Sequence, residues 1–326
     1  ADPQKEPADG GKVGHSPFPD LKKGKTGVIR RHQQIRRKIF QQRFFLIGAG
    51  AGENGFQKLF HGKTHGFSGG DARLEQVRGI VFRKTTGEIV RTAMRPLLSM
   101  DEIPFSYDNL EGMEHRIIYY ESSRGCPYSC SYCLSSIDKS VRFRSLELVK
   151  KELEFFLEHR VPQVKFVDRT FNCKREHTLG IWRYIMEHDN GITNFHFEVS
   201  ADLFDEEELE LIGRMRPGLI QLEIGVQSVN PDTITEIRRK MDLDKLAAAV
   251  ARVHGYKNTH QHLDLIAGLP YEDLTSFLHS FNAVFRMEPD QLQLGFLKVL
   301  KGSFMSEKTE DYGLLYRAEP PYEVLS

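Results

Sequence analysis

The chain has 326 residues, 40% apolar and 28% charged, an ordinary globular composition with room for one large domain and a smaller unit. Its 45 basic residues balance 45 acidic ones, which excludes a global electrostatic pull toward nucleic acid or an anionic membrane. No apolar run approaches the roughly 20 residues of a membrane helix, no stretch near the start reads as a secretory signal, and three of the four cysteines fall between Cys126 and Cys133, a crowding that suits a metal site in a reducing, cytoplasmic compartment better than disulfides.

Residues 1–43 open on a stretch rich in Gly, Pro, Lys and Asp that reads as poorly structured. From Leu21 to Arg43 every charge is positive. That run is either a basic arm for RNA or phosphate, or else a solvated helix or a remnant of a domain missing its other half; the lack of interleaved aromatic residues disfavours the basic arm. Phe44 to Ile47 is a short apolar run, followed by Gly50, Gly52 and Gly55 in a G-x-G-x-x-G spacing. No βαβ unit follows, so a glycine-rich strand-to-helix turn is the reading, rather than a dinucleotide site. Residues 79–92 read as a hairpin turning at Thr85-Thr86-Gly87. Pro96 and Pro104 bracket a linker, which puts a domain boundary near residues 95–112.

After residue 115 short β-rich runs alternate with amphipathic helical stretches. Strands are expected over 117–123, 163–167, 194–199, 219–226, 261–266 and 291–299. Helices are expected over 146–159, 176–188, 206–214, 231–239, 243–254 and 272–287. The helix at 146–159 places Leu146, Val149, Leu153, Phe156 and Leu157 on one face, and Asp205 with Glu208 forms a capping-box start for 206–214. The Met and Phe residues of 277–287 fall at helical spacing and are expected in the core. Strict β/α alternation predicts a parallel sheet with right-handed crossovers, here an α/β partial (β/α)6 TIM-like barrel. Chemistry in such a barrel belongs at the C-terminal ends of the strands. Cys126-Pro127-Tyr128-Ser129-Cys130-Ser131-Tyr132-Cys133 falls there, just after the first strand.

The spacing is C-x3-C-x2-C. Thiolates are soft ligands that suit zinc or iron–sulfur clusters. Three on one short loop can take three corners of a cubane and leave the fourth iron open. A structural zinc site usually wants four ligands, and here the fourth would be Cys173 or a histidine. The loop, with Arg124-Gly125 before it and Tyr132 just before the third cysteine, resembles the signature of the radical S-adenosylmethionine (SAM) superfamily. The resemblance implies a [4Fe-4S] cluster on Cys126, Cys130 and Cys133, with the open iron chelating SAM. It implies reductive cleavage to a 5′-deoxyadenosyl radical and a reductant such as flavodoxin or ferredoxin, acting on a small-molecule substrate that the sequence does not identify.

Asp168 to Asn172, Gly225 to Ser228 and Asp264 to Pro270 are similar to the branch of that superfamily carrying an N-terminal cobalamin-binding domain. This implies cobalamin-dependent methyl transfer. It also implies a remnant of a cobalamin-type domain over 44–110, the radical SAM barrel over 111–305 and the start of a C-terminal extension over 306–326, in a chain truncated at both ends. No D-x-H-x-x-G cobalamin motif is present. The rival enzyme reading is a tRNA-modifying, methylthiotransferase-like protein; the rival non-enzyme is a zinc-bearing interaction module.

Five strand-end residues are expected to bind cofactor. Asp168 would accept from the SAM amino group, with a loop cap as its plain alternative. Glu198 would meet a ribose hydroxyl or sit in a buried salt bridge. Gln227 and Ser228 would line the SAM pocket or form a turn. Arg239, at a helix end, would by resemblance meet the SAM carboxylate. Cys173 reads as packed rather than as a hydrogen-atom donor. His196, His254, His260 and His262 show no metal-type spacing that prefers ligation over packing. Tyr119 and Tyr120 are expected to support the barrel.

Overall fold

The structure, a computed structural model, describes residues 46–47 and 71–325. The basic stretch and the G-x-G-x-x-G turn lie outside the described residues. The chain forms two compact units that divide between Leu97 and Leu98, so residues 98–110, assigned above to the first domain, belong to the barrel unit.

In the first unit, β1 (Leu46–Ile47) pairs in parallel with β2 (Val81–Arg83), and α1 spans Asp71–Glu75. β2 and β3 (Ile89–Arg91) form the expected antiparallel hairpin. Its turn is closed by the Lys84 N–H donating to the Glu88 carbonyl at 2.8 Å. Gly87 stands there at φ +91°, a left-handed backbone that glycine adopts without steric cost.

The second unit is built on β4 (Ile118–Tyr120), β7 (Gln163–Phe166), β8 (Asn194–Val199), β9 (Ile220–Gln227), β10 (His260–Ala267) and β11 (Gln291–Phe296). They form one parallel sheet in the order β11-β10-β9-β8-β7-β4. Neighbours in sequence are neighbours in space, as crossover helices demand. The main crossovers are α2 (Leu146–Glu158), α3 (Arg175–Glu187), α4 (Glu206–Gly213), α5 (Pro231–Glu236), α6 (Leu243–Tyr256) and α7 (Leu274–Phe285). The predicted partial barrel is therefore the observed fold, and the Asp205–Glu208 capping box closes on both sides.

The two faces of the sheet differ in chemistry. Outward side chains such as Val164, Phe166, Phe195, Phe197, Leu222, Ile224 and Leu263 are buried against Val149, Leu153, Phe156, Ile181 and Trp182 of the helices. Each large apolar side chain so buried contributes about 1.5–3 kcal/mol. The alternate residues, Lys165, His196, Glu198, Glu223, His262 and Asp264, face inward, where a closed barrel of this class is filled by branched apolar side chains.

Several expectations shift. The first strand stops at Tyr120 because Ser122 and Ser123 turn toward Asp168; β5 (Ser123–Arg124) then pairs with β6 (Arg142–Phe143) as a short antiparallel ribbon. Tyr120 supports the barrel, buried and donating to Glu152 at 2.7 Å, but the Tyr119 side chain on the edge strand is exposed. In α7, Phe277 and Phe281 are partly buried while Phe285 lies exposed. Residues 298–325 fold back through bridges Lys298–Glu323 and Tyr316–Val324, with a short helix α8 (Phe304–Glu307).

Candidate active site at the cysteine loop

The β5–β6 ribbon closes the base of the cysteine loop. Gly125 sits at φ +101°, and a Cβ there would stand 2.7 Å from the Ser140 carbonyl oxygen, so only glycine fits. The Cys126 N–H donates to the Asp138 carbonyl at 3.1 Å and the Ser131 N–H to the Ile237 carbonyl at 2.9 Å. The Met305 N–H donates back to the Ser131 carbonyl at 2.8 Å. Met305, Ile237, Leu269 and Leu297 form a small apolar cluster against which Tyr132 packs. The loop is thus held from both the barrel and the C-terminal segment.

Cys126 and Cys130 are buried and Cys133 half-buried, all three as free thiols. They line one cavity of about 180 Å³ with Thr170, Glu198, Gln227, Arg239 and Asp264. The Thr170 hydroxyl lies 3.7 Å from Cys126 Sγ. Burial pushes the Cys130 thiol above its ordinary value, against the pull of the Arg239 guanidinium.

Zinc and a cluster make different geometric demands. A mononuclear zinc holds sulfur at about 2.3 Å, which brings its thiolates within about 4 Å of one another. Among the described residues, the His, Cys, Asp or Glu trio whose ligand atoms lie within 4.8 Å of each other is Glu223, His262 and Asp264, not the cysteines. The three cysteines line one cavity, and their sulfurs do not all lie within 4.8 Å of one another. Burial pushes Cys173 up to about 11, the behaviour of a packed thiol.

Three of the five strand-end candidates reach the cavity. Glu198 lies 3.7 Å from Arg169 and is pushed up to about 7 by burial. Gln227 ends β9 at φ +73°, a strained position for a residue with a side chain. Its Oε1 is buried without a hydrogen-bond partner. Gly225 makes room for it, since a Cβ there would meet Gln227 Nε2 at 2.3 Å. Arg239 is not at a helix end: α5 stops at Glu236 and Arg238 takes φ +56°. That turn aims the guanidinium at the Gly225 carbonyl and at the Tyr132 hydroxyl, 3.4 Å away, leaving Nε unpartnered.

Asp168 and Ser228 are elsewhere. Asp168 is 1% exposed and accepts from the Ser122 N–H at 3.0 Å, the Ser122 hydroxyl at 2.7 Å and the Ser123 hydroxyl at 2.5 Å. It anchors the chain entering the cysteine loop, so the loop-cap alternative is the one realised. Ser228 is fully buried, donating to Glu272 at 2.6 Å and accepting from the Asn230 N–H at 3.0 Å. The sequence reading missed Thr170 and Glu223 as cavity residues. Period-two alternation could have pointed Glu223 inward, but only the strand register puts it beside His262.

Comparison with known proteins agrees with this geometry. The Radical SAM superfamily profile matches residues 120–284. An uncharacterised methyltransferase of Pyrococcus horikoshii is 31% identical over 40% of this chain and 30% of its own length. The cobalamin-dependent radical SAM methyltransferase TokK of Streptomyces tokunonensis is 26% identical over 73% of this chain and 38% of its own. The chain thus spans about a third of the length of these relatives. Among solved structures, the radical SAM methyltransferase TsrM of Kitasatospora setae superposes with a TM-score of 0.60 at 17% identity, covering 74% of this chain and 53% of that one. The cobalamin-dependent radical enzyme OxsB superposes with 0.56 at 16%, covering 77% and 44%. With its profile spanning half the chain and its cysteine loop at the C-terminal end of the first strand of a six-stranded partial barrel, the chain belongs to the radical SAM superfamily.

Proposed function

We propose that the chain is a radical SAM enzyme in which Cys126, Cys130 and Cys133 hold a [4Fe-4S] cluster by three corners and leave the fourth iron to SAM. The observation that carries this reading is the convergence of three free thiols on one cavity, beside polar atoms that lack partners. A cluster and SAM held there would supply one-electron cleavage of the sulfonium to methionine and a 5′-deoxyadenosyl radical.

The chain's own residues bind and orient. Arg239 brings a buried positive charge for the SAM carboxylate. Gln227 offers a carbonyl oxygen and Glu198 a carboxyl group for SAM's amino and hydroxyl groups. The walls of the cavity exclude water from the radical. The names of TokK and TsrM favour methyl transfer with cobalamin as the reaction class, to a small-molecule acceptor. We assign the 44–97 segment as the remnant of a cobalamin-type domain, 98–305 as the catalytic barrel with its lead-in and 306–326 as the start of an extension. A flavodoxin or ferredoxin would supply the electron. Among the described residues no helix is long and apolar enough to cross a membrane.

Anaerobic purification with metal analysis tests the core of the proposal. Iron with matching inorganic sulfide, and 5′-deoxyadenosine on adding SAM and dithionite, are the expected results. Stoichiometric zinc without sulfide would overturn it.

A further inference from the structure

The inward face of the barrel carries a second group of ligand atoms that the cysteine chemistry does not use. Glu223 on β9 and His262 and Asp264 on β10 bring one ligand atom each within 4.8 Å of one another. His196 on β8 pairs with Glu223 from outside the trio, its Nε2 3.0 Å from Glu223 Oε2. His196 and His262 are 7% and 6% exposed. His262 Nε2 and Asp264 Oδ1 stand 2.8 Å apart, yet these two atoms and His196 Nε2 are shut off from solvent and none is aligned in a hydrogen bond.

Such an arrangement is costly as it stands, because each buried polar atom without a partner forfeits about 1–3 kcal/mol of solvation. A nitrogen lone pair and a carboxylate oxygen at that distance need a cation between them. A proton serves one such pair; a metal ion serves the three ligand atoms of Glu223, His262 and Asp264 at once. Lys165 is the counter-argument on the page, since its ammonium already donates to Glu223 Oε2 at 2.6 Å. That contact balances one carboxylate and leaves the His262–Asp264 pair unmatched.

We propose that Glu223, His262 and Asp264 bind a first-row divalent metal ion in the barrel lumen, with Lys165 as the group that the ion displaces from Glu223. One imidazole and two carboxylates are a borderline-to-hard donor set that suits Mn2+, Fe2+ or Zn2+ rather than a soft ion such as Cu+. The register makes the site: His262 is the direct neighbour of Glu223 across β9–β10, and Asp264 follows two residues later on the same face. Glu223 and Asp264 also line the cysteine cavity, so the ion sits on its floor. This inference does not rest on the cluster proposed above.

Mn2+ is the probe, because the cysteine loop competes poorly for a hard ion. The protein is used as purified anaerobically, and binding is read as loss of the free Mn2+ electron paramagnetic resonance signal. One saturable Mn2+ per chain is expected. His262→Gln and Glu223→Gln should weaken it at least tenfold with iron and sulfide unchanged, and Lys165→Met should tighten it by removing the competing ammonium. The proposal is overturned by the absence of saturable binding, by binding indifferent to His262→Gln, or by a Lys165→Met variant that melts lower and gains no affinity. That last result would mean the network is a closed ion pair.

Discussion

The Arg144–Glu152 pair and the cavity beneath the cysteine loop both take charge out of water, and they are satisfied in opposite ways. Around Glu152 every group is met. Arg144 Nε donates to it at 2.7 Å, the Tyr120 hydroxyl donates at 2.7 Å, and Arg144 Nη1 donates to the Ile103 carbonyl at 2.9 Å and to that of Met100. Around the cavity, Gln227 Oε1, Arg239 Nε, Asp264 Oδ1, His196 Nε2 and His262 Nε2 are left without hydrogen bonds. A closed buried network fixes structure, whereas one with open valences is a place for a ligand. The first ties residues 100–103 to the barrel, and the second waits on the inward face of the sheet.

Variants on the two sides should therefore fail differently. The largest effect is expected from Cys130→Ala, with complete loss of cluster iron and of 5′-deoxyadenosine formation but a nearly unchanged melting curve of the cofactor-free protein. A variant still making 5′-deoxyadenosine would remove the cavity from the comparison. Glu152→Ala should do the reverse. Leaving Arg144 buried and unpaired costs about 3–5 kcal/mol, read as a lower denaturant midpoint, while the folded fraction keeps its iron. A midpoint within error of wild type would show that the closed network contributes little.

Asp168 gives a smaller, pH-dependent effect. Burial holds its carboxyl up at about 6, against the hydrogen bonds from Ser123 and Ser122. A raised carboxyl favours the folded state below the unfolded value near 4 and loses that contribution as pH climbs through about 6. Stability should fall by up to about 3 kcal/mol over that window. The slope should vanish in Asp168→Asn, and denaturant melts at pH 4 and pH 7 decide it. Smallest of all, Ser228→Ala removes a buried hydroxyl donor to Glu272 and should cost about 1–2 kcal/mol with SAM binding unchanged. Weakened SAM binding in that variant would return Ser228 to the cavity.

Much of this architecture was legible in the amino-acid order. The six strands, the main helices and the hairpin fall where periodicity put them, because burial imposes a period of two on strands and 3.6 on helices. The cysteine loop was legible for another reason: its three thiols are close in sequence, so spacing alone points to the chemistry proposed for it. Strand-end polar residues were harder. Asp168 and Gln227 look alike in one dimension, each a polar residue closing a strand. The β4–β5 break delivers two serines and a backbone N–H to Asp168, while Gly225 and the bulge between β9 and β10 turn Gln227 into the cavity.

By itself, then, the sequence determined the partial barrel, the cluster of three cysteines and the place of their loop at the strand ends, since each depends on local pattern or spacing. The tertiary structure decided which polar side chains face the cavity and which brace it. It also brought Glu223, His262, Asp264 and His196 together from three strands. Register between strands and the path of each turn set those meetings, and both are fixed by contacts between residues far apart in the chain.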